Sequence, residues 1–219
     1  ALFIVPMLFY AYLIDFDLRF KVISRQSIIL VITIMMLVTP FVGLLLEWNM
    51  KINFPDWLLG FDKNSELIIE AFLQMNSFWD LLYTLLVIAV VPAIWEELIF
   101  RGYLQKITAS WLKNPHVSIL IIAFLFSVIH LHFQGIIPRF FLGALLGYLY
   151  YWSSNLWLPI LAHFVNNAQA IIFSYPLFKT KTEFLFSEHN TDPMIGLFSF
   201  FAVGLLLFLL YKNLSIKKT

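Results

Sequence analysis

Long apolar segments alternate with short polar connections along almost the whole chain, and they limit what it can fold into. A helix that crosses a bilayer needs about 20 mostly apolar residues, and only helices and closed barrels satisfy the backbone hydrogen bonds there. The apolar segments lie at roughly 1–14, 28–46, 77–100, 117–132, 138–152, 157–175 and 193–211. We therefore predict one all-α domain over residues 1–219, a transmembrane helix bundle with about seven membrane segments.

The composition agrees with a membrane protein. Hydrophobic residues make up 61% of the chain and charged residues only 12%, whereas soluble domains average about 45–50% and about 25%. The net charge of +1 gives no indication of nucleic-acid binding. The chain has no cysteine, which excludes disulfides, thiolate metal sites and a cysteine nucleophile. Because the first apolar segment is shorter than a membrane span, we expect further residues before Ala1.

Two connections indicate how the chain meets the membrane. Between residues 47 and 76, apolar side chains recur at helical spacing among charged ones, which predicts an amphipathic helix at the interface. No breaker follows Pro92 until Asn114, so the third segment should continue as helix to about Lys106.

If the segments alternate in direction, nine Lys and Arg residues fall on one side of the membrane and five on the other. This bias predicts a cytoplasmic C-terminus. We also expect an integral protein of the bacterial cytoplasmic membrane.

Ionisable and amide side chains lie inside three of the apolar segments. An ionisable group in lipid costs about 2.5–3.5 kcal/mol on insertion scales, so it is rare there without a partner or a function. The three groups stand in the runs WEELIFRG, FLFSVIH and LAHFVNN. Their polar members are Glu96, Glu97, Arg101, His130, His163 and Asn167. We predict that three helices bring these residues together in one buried polar site.

Helical spacing assigns different environments to the two glutamates. Neighbouring residues on a helix point about 100° apart, whereas Glu97 and Arg101, four residues apart, can form an ion pair in the favoured order. We therefore expect Glu97 and Arg101 to neutralise each other as a structural ion pair near the site, and Glu96 to face the interior. His163 and Asn167 also share a helix face, where their N–H groups can hold an oxyanion or serve as packing hydrogen bonds.

Three residues near these motifs carry further expectations. Pro92 should free a backbone carbonyl and bend its helix close to the glutamates. Gly143 and Gly147 form a Gly-x-x-x-Gly pattern, for which close packing inside the bundle is favoured over a dimer face.

The order of the three motifs resembles that of the CAAX protease and bacteriocin-processing family of intramembrane endopeptidases. The motifs are Glu-Glu-x-x-x-Arg at 96–101, Phe-x-x-x-His at 126–130 and His-x-x-x-Asn at 163–167. The run FLGALLGYLYYWSSNLWLPILAHFVNN also resembles the glycine-bearing helix, short turn and proline-started helix of that family. The resemblance covers about residues 77–175, which we take as a protease-like core.

The resemblance implies a membrane endopeptidase that uses a glutamate and requires no metal or other cofactor. In such enzymes the first glutamate and the histidine of the second motif activate water, a role that falls here to Glu96 and His130. The histidine and asparagine of the third motif bind the oxyanion, a role that falls to His163 and Asn167. The implied partners are the lipid bilayer and a peptide or protein substrate, either lipidated or embedded in the membrane, and not nucleic acid.

Two other functions remain open from the sequence. Glu96, His130 and His163 could together bind zinc in a membrane protease, although the chain has no His-Glu-x-x-His motif. A membrane immunity or scaffold protein without enzymatic activity would use the polar residues only to hold its helices together. A transporter is disfavoured, because the polar residues gather in one place rather than along a path across the bilayer.

Overall fold

The structure is a computed structural model, and it describes residues 19–178 and 192–216. Within these two ranges every regular element is helical and no strand occurs, which confirms the predicted all-α bundle. The first apolar segment, 1–14, lies outside the described residues. The main helices are α1 (Arg25–Met50), α2 (Asp56–Leu73), α3 (Phe78–Leu112), α4 (Pro115–Ile129), α5 (Ile136–Ser153), α6 (Trp157–Ser174) and α7 (Pro193–Ile216).

Three of these helices are long and apolar enough to cross a membrane, namely α1, α3 and the part of α7 from Pro193 to Leu214, while α4 is apolar but shorter. Large apolar side chains on the outside of the bundle fit a lipid environment. Phe198 and Phe201 on α7, for example, are 76% and 70% exposed, whereas soluble monomers rarely expose such patches. The number of membrane spans stays a prediction.

Helix α3 extends beyond the predicted end near Lys106 and carries the first motif near its middle. A capping box starts it, because the Ser77 hydroxyl accepts from the Asp80 N–H and the Asp80 carboxylate accepts from the Ser77 N–H. Two wider π-helical stretches, Leu85–Val90 and Leu98–Leu104, interrupt the α-helix. Such stretches are rare and often occur at functional sites. Here they lie on either side of the two glutamates.

The core lies where α1 packs against α5, α6 and α7. Its buried residues are Val31, Ile34, Met35, Val38, Leu145, Leu146, Leu149, Leu158, Ala162, Val203 and Leu210. A polar contact adds to this packing, since the Gln169 side chain on α6 donates to the Met35 carbonyl at 3.0 Å. Helix α1 therefore supports the two helices, α5 and α6, that close around the glutamates of α3.

Two ends of the bundle can be defined from the contacts between connections. At the α5–α6 end, the Leu156 N–H donates to the carbonyl of Arg19, just before α1 begins. At the α4–α5 end, the fully buried Asn49 near the end of α1 donates to Phe133 O at 2.9 Å and accepts from Ile137 N–H at 2.8 Å. Because α3 to α6 are joined by short connections, neighbouring helices run antiparallel between these two ends.

Candidate active site

The ion pair on α3 is sealed inside the bundle. Neither side chain of Glu97 and Arg101 has any exposed surface, and Arg101 Nη1 lies 2.5 Å from Glu97 Oε1. Arg101 Nη2 also donates to the Gly143 carbonyl of α5 at 3.0 Å, and the guanidinium carbon lies 4.6 Å from the ring centroid of Phe126. A buried charge is tolerated only when it is paired and hydrogen-bonded, and Arg101 meets that condition through Glu97 and the Gly143 carbonyl, while its Nε has no hydrogen-bond partner among the described residues.

Glu97 also holds the histidine of the third motif. Its Oε1 lies 2.8 Å from Nδ1 of His163, whose side chain is 7% exposed. One carboxylate oxygen therefore serves both Arg101 on α3 and His163 on α6. Sequence spacing predicted only the contact within α3, because the i,i+4 rule carries no information about a neighbouring helix.

Glu96 lies in a more open environment than Glu97. Its side chain is 27% exposed, and its Oε2 atom has no hydrogen-bond partner among the described residues. Two imidazole nitrogens approach that oxygen, His130 Nε2 at 3.6 Å and His163 Nε2 at 3.8 Å. These separations are too long for direct hydrogen bonds. The structure thus brings together one carboxylate and two histidines from α3, α4 and α6 around a common point.

His130 is fixed at the last turn of α4. Its Nδ1 lies 2.6 Å from the Phe126 carbonyl, and since a carbonyl can only accept, Nδ1 carries the proton. Leu131 follows with a left-handed φ of 51°, which ends the helix at this residue. The His132 side chain is turned to another partner, because its Nδ1 lies 3.4 Å from Arg139 Nη2.

Asn167 lies on the same face of α6 as His163 and contacts the first π-helical stretch of α3. Its Nδ2 donates to Ile88 O at 3.3 Å, and its Oδ1 accepts from Asn166 Nδ2 at 3.2 Å. Pro92 stands four residues after Ile88 and has no N–H, so the usual α-helical bond to this carbonyl is missing. Asn167 thus satisfies a carbonyl that Pro92 leaves without its helical donor.

The Gly-x-x-x-Gly pattern lies inside the bundle. A Cβ at Gly143 would come within 3.2 Å of the Ala123 Cα, and one at Gly147 within 2.8 Å of the Ile119 side chain, both on α4. The Gly147 carbonyl accepts from Gln105 at 3.1 Å, as the Gly143 carbonyl accepts from Arg101. The glycines therefore let α5 approach α4 closely while their carbonyls bind polar side chains of α3.

Metal binding has a limited basis in the part of the chain that is described. No group of three His, Cys, Asp or Glu side chains suited to hold a metal ion is found there. His130 Nε2 and His163 Nε2 lie 3.6 and 3.8 Å from Glu96 Oε2, a few tenths of an ångström more than the spacing of zinc ligands. Ligands about 2.1 Å from a tetrahedral zinc lie about 3.4 Å apart.

Comparisons with known proteins bear on the region that carries these residues. Searches of curated proteins and of solved structures find no significant match to the chain. The model of one protein family, described as type II CAAX prenyl endopeptidase Rce1-like, matches residues 78–169. That range runs from the start of α3 to the second half of α6 and contains all three motifs.

The match supports a CAAX-protease-like membrane endopeptidase, a hydrolase whose substrate is a peptide or protein in the membrane. Together with the apolar helices, it also supports an integral membrane protein. The resemblance predicted from the three motifs is thereby confirmed, and residues 78–169 match the Rce1-like type II CAAX prenyl endopeptidase family.

Proposed function

We propose that this chain is an intramembrane endopeptidase in which Glu96 and His130 activate a water molecule, and His163 and Asn167 stabilise the oxyanion that forms when the water attacks. One observation carries the proposal, the approach of His130 Nε2 and His163 Nε2 to the unpartnered Oε2 of Glu96 at 3.6 and 3.8 Å. The protease-like core then comprises about residues 77–175 within a single membrane domain.

The protonation of His130 supports water activation. Because Nδ1 is held by the Phe126 carbonyl, Nε2 of the neutral ring can only accept. Nε2 and Glu96 Oε2 are then two acceptors that can each take one hydrogen of the same water. That water keeps its lone pairs free to attack a peptide carbonyl carbon, and Glu96 takes the proton it loses. When the C–N bond breaks, this proton passes to the leaving amine.

The protons on the His163 ring decide whether its Nε2 can act as a donor. Its Nδ1–H donates to the Glu97 carboxylate, so Nε2 can donate to an oxyanion only when the ring carries both protons. Such an imidazolium would be balanced, since Glu96 and Glu97 bring two negative charges and Arg101 one positive charge. In this proposal the ion pair of Glu97 and Arg101 is a support that orients His163 and does not touch the substrate.

Asn167 can contribute a second donor. Its amide group has two N–H bonds, and Ile88 O takes only one of them. The contact with Ile88 fixes the amide plane, so the other N–H is held in place before the reaction begins. Donors arranged in advance stabilise a transition state without the cost of reorganisation.

An apolar cleft near the site supports a substrate that lies in the membrane. It has a volume of about 380 Å³ and opens between α1, α3 and α6, with Ala93, Ile94, Ile160 and Phe164 among its walls. None of Glu96, His130, His163 and Asn167 lines this cleft, because Ile94 and Phe164 point to other faces of α3 and α6 than Glu96 and His163. The cleft could therefore hold the apolar part of a lipidated or membrane-embedded peptide outside the polar site.

We further propose that the C-terminus faces the bacterial cytoplasm. Arg101 is buried and therefore does not count among the basic residues of the connections. Eight Lys and Arg residues remain on the side of the C-terminus, and they still outnumber the five on the opposite side. Since the chain has no cysteine, single cysteines at Lys113 and Lys51 report on opposite sides. Lys51→Cys should react with an impermeant thiol reagent in intact cells and Lys113→Cys should not. The reverse pattern would reject this orientation.

The zinc reading keeps one observation in its favour. The Glu97 carboxylate binds Nδ1 of His163 as carboxylates often bind histidines that ligate zinc through their other nitrogen. No group of three His, Cys, Asp or Glu side chains suited to hold a metal ion is found among the described residues, so the metal-free mechanism remains our proposal.

The decisive experiment compares peptide products. The purified chain in lipid nanodiscs is incubated with a peptide that ends in a prenylated CAAX sequence, with its unprenylated form, and with a set of transmembrane peptides. Mass spectrometry should find at least one product with the wild type and with Glu70→Gln, an exposed glutamate on α2. The Glu96→Gln variant should give none. Equal product from Glu96→Gln would refute the assignment.

A further inference from the structure

The connection between α4 and α5 determines where His130 stands. His130 is the C-cap of α4, and its Nδ1 is bonded to the Phe126 carbonyl of the same helix, so the ring moves with the last turn. Leu131 follows with a left-handed φ of 51°. This conformation is unfavourable for a residue with a side chain, and it persists only where the surrounding structure holds it. The position of His130 therefore depends on what holds this connection.

One peptide group at the start of α5 is bonded on both sides. Its carbonyl, that of Ile136, accepts from the Ser127 hydroxyl at 2.6 Å. Its N–H, that of Ile137, donates to Asn49 Oδ1 at 2.8 Å. Ser127 lies three residues before His130 in the last turn of α4. The end of α1 is thus linked through this peptide group to the turn that carries His130.

Helix α5 takes its cap from α1 because its own N-cap residue has no side chain. The first N–H groups of a helix have no partner within the helix, and a polar N-cap side chain usually supplies one. Here the N-cap is Gly135, where a Cβ would come within 2.9 Å of His132 Nδ1 and 3.2 Å of Arg139 Nη2. The contact between His132 and Arg139 therefore favours glycine, and Asn49 binds the Ile137 N–H instead.

Asn49 uses both ends of its amide group on this connection. Its side chain is fully buried in the last turn of α1, a helix that carries none of the three motifs. Its Nδ2 donates to the Phe133 carbonyl at 2.9 Å, while its Oδ1 accepts from Ile137. A buried amide is costly unless it is hydrogen-bonded, and both bonds of Asn49 go to the segment that follows His130. Asn49 therefore fixes this segment relative to α1.

We infer that Asn49 is a positioning residue for the reaction, which holds the last turn of α4 so that His130 Nε2 stays beside Glu96 Oε2. The inference rests on the proposed function, in which one water bridges these two atoms 3.6 Å apart. A water can bridge only acceptors that both lie within hydrogen-bond distance of it, and a misplacement of about 1 Å can lower a rate by about 10². Asn49 itself touches neither the water nor the substrate.

The turnover of two variants tests this role. Asn49→Ala should lower the catalytic rate constant by about 10–10², and Ser127→Ala by a smaller factor, each with KM within about twofold of the wild type. Ser118→Ala is the matched control and should cleave like the wild type. Its buried hydroxyl also donates from α4 to a backbone carbonyl, that of Gln105 at 2.9 Å, but it lies about 18 Å from His130 along the helix.

A double-mutant cycle separates positioning from a general loss of stability. In a His130→Ala background, Asn49→Ala should change the residual rate constant by less than about twofold, because the group that it positions is gone. Hydrogen exchange measures the position of the connection without any need for cleavage. Exchange in residues 126–137 should rise in Asn49→Ala and in Ser127→Ala, and it should stay unchanged in Ser118→Ala.

Each result decides for or against the inference. Wild-type turnover in Asn49→Ala and Ser127→Ala, beside a large loss in His130→Ala, would overturn it and leave the proposed function intact. An equal loss from Asn49→Ala in both backgrounds would make Asn49 a structural residue only. If His130→Ala itself cleaves like the wild type, the proposed function is wrong and the positioning role falls with it. Should Asn49→Ala not fold, the comparison of Ser127→Ala with its control decides.

Discussion

The two glutamates of the first motif are neighbours in the chain, yet they lie in opposite environments. Glu97 has no exposed side-chain surface and shares one oxygen between Arg101 and His163 at 2.5 and 2.8 Å. Glu96 is 27% exposed, and its nearest imidazole nitrogens are 3.6 and 3.8 Å away. We call Glu97 with Arg101 the sealed half of the site and Glu96 with His130 the open half.

The difference follows from helix geometry and from the cost of buried charge. On α3 the two side chains point about 100° apart, so only one of them can face Arg101. A carboxylate without exposed surface must be paired, because leaving it unpaired costs several kcal/mol. The sealed half meets that requirement through the ion pair of Glu97 Oε1 with Arg101, while Glu97 Oε2 and Arg101 Nε have no hydrogen-bond partner among the described residues. The open half keeps acceptors that a water and a substrate can use, which suits it to chemistry.

The largest expected effect is on turnover in the open half. Glu96→Gln and His130→Ala should each lower the catalytic rate constant by about 10²–10⁴, the usual contribution of general acid–base catalysis. Because both residues act on one water, the double variant should lose little more than either single variant. Single-turnover rates and melting temperatures in detergent measure this. Near wild-type cleavage by either single variant, or a large drop in melting temperature, would remove the distinction between the halves.

The next largest effect is on stability in the sealed half. Glu97→Gln leaves the Arg101 charge buried without a counter-charge, even if the glutamine oxygen still accepts from it, so it should destabilise the fold by about 3–5 kcal/mol. Glu97→Gln/Arg101→Met removes both charges, and its melting temperature should recover most of the loss. The distinction between the sealed and the open half is wrong if Glu97→Gln melts at the same temperature as the wild type, or if Glu97 proves to be the acid that cleavage requires.

Asn167 tests whether the oxyanion site belongs to the open half. Asn167→Ala should lower the catalytic rate constant by about 10²–10³ with little change in substrate affinity, the usual cost of one lost oxyanion donor. Asn166→Ala is the matched control, because this amide donates to Asn167 and reaches no further partner in α3. Asn167→Asp should be as harmful as Asn167→Ala, since the carboxylate repels the oxyanion. A variant that melts early but cleaves normally would make Asn167 a packing residue.

A smaller effect concerns the helix contact that supports Arg101. Gly143→Ala should cost about 1–3 kcal/mol, because its Cβ would lie 3.2 Å from the Ala123 backbone. Gly204→Ala on α7 is the control, since nothing lies within 4 Å of a Cβ there. Thermal melting of the two variants compares them directly. Equal melting temperatures would mean that α5 can move away from α4 without cost.

The sequence predicted features that depend on one helix and the gathering of the polar residues from three helices, but it missed the individual contacts between helices. Apolar segments located the helices, and i,i+4 spacing anticipated that Glu97 and Arg101 would meet. The bond from Glu97 to His163 joins residues 66 positions apart, and no local pattern encodes it. The contact of Asn167 with Ile88 could be anticipated only in part, because Pro92 predicts a freed carbonyl but not its partner. The π-helical stretches of α3 have no sequence signal that we can identify.

The smallest expected effect is that of removing metal. Dialysis against a chelator should leave the rate of peptide cleavage unchanged, and elemental analysis should find less than one zinc per chain. The expectation rests on the available ligands, since no group of three His, Cys, Asp or Glu side chains suited to hold a metal ion is found among the described residues.

A zinc enzyme would respond differently in both halves of the site. Chelation would abolish cleavage, zinc would restore it, and His163→Ala would lose the metal. Glu97→Gln would then weaken zinc binding by about 10–100-fold, because the carboxylate would be the partner that orients a ligating histidine. In the mechanism proposed here the same variant loses stability and has no metal to lose. Metal content and melting temperature, measured together on Glu97→Gln, therefore decide whether the sealed half supports a metal ligand or an oxyanion donor.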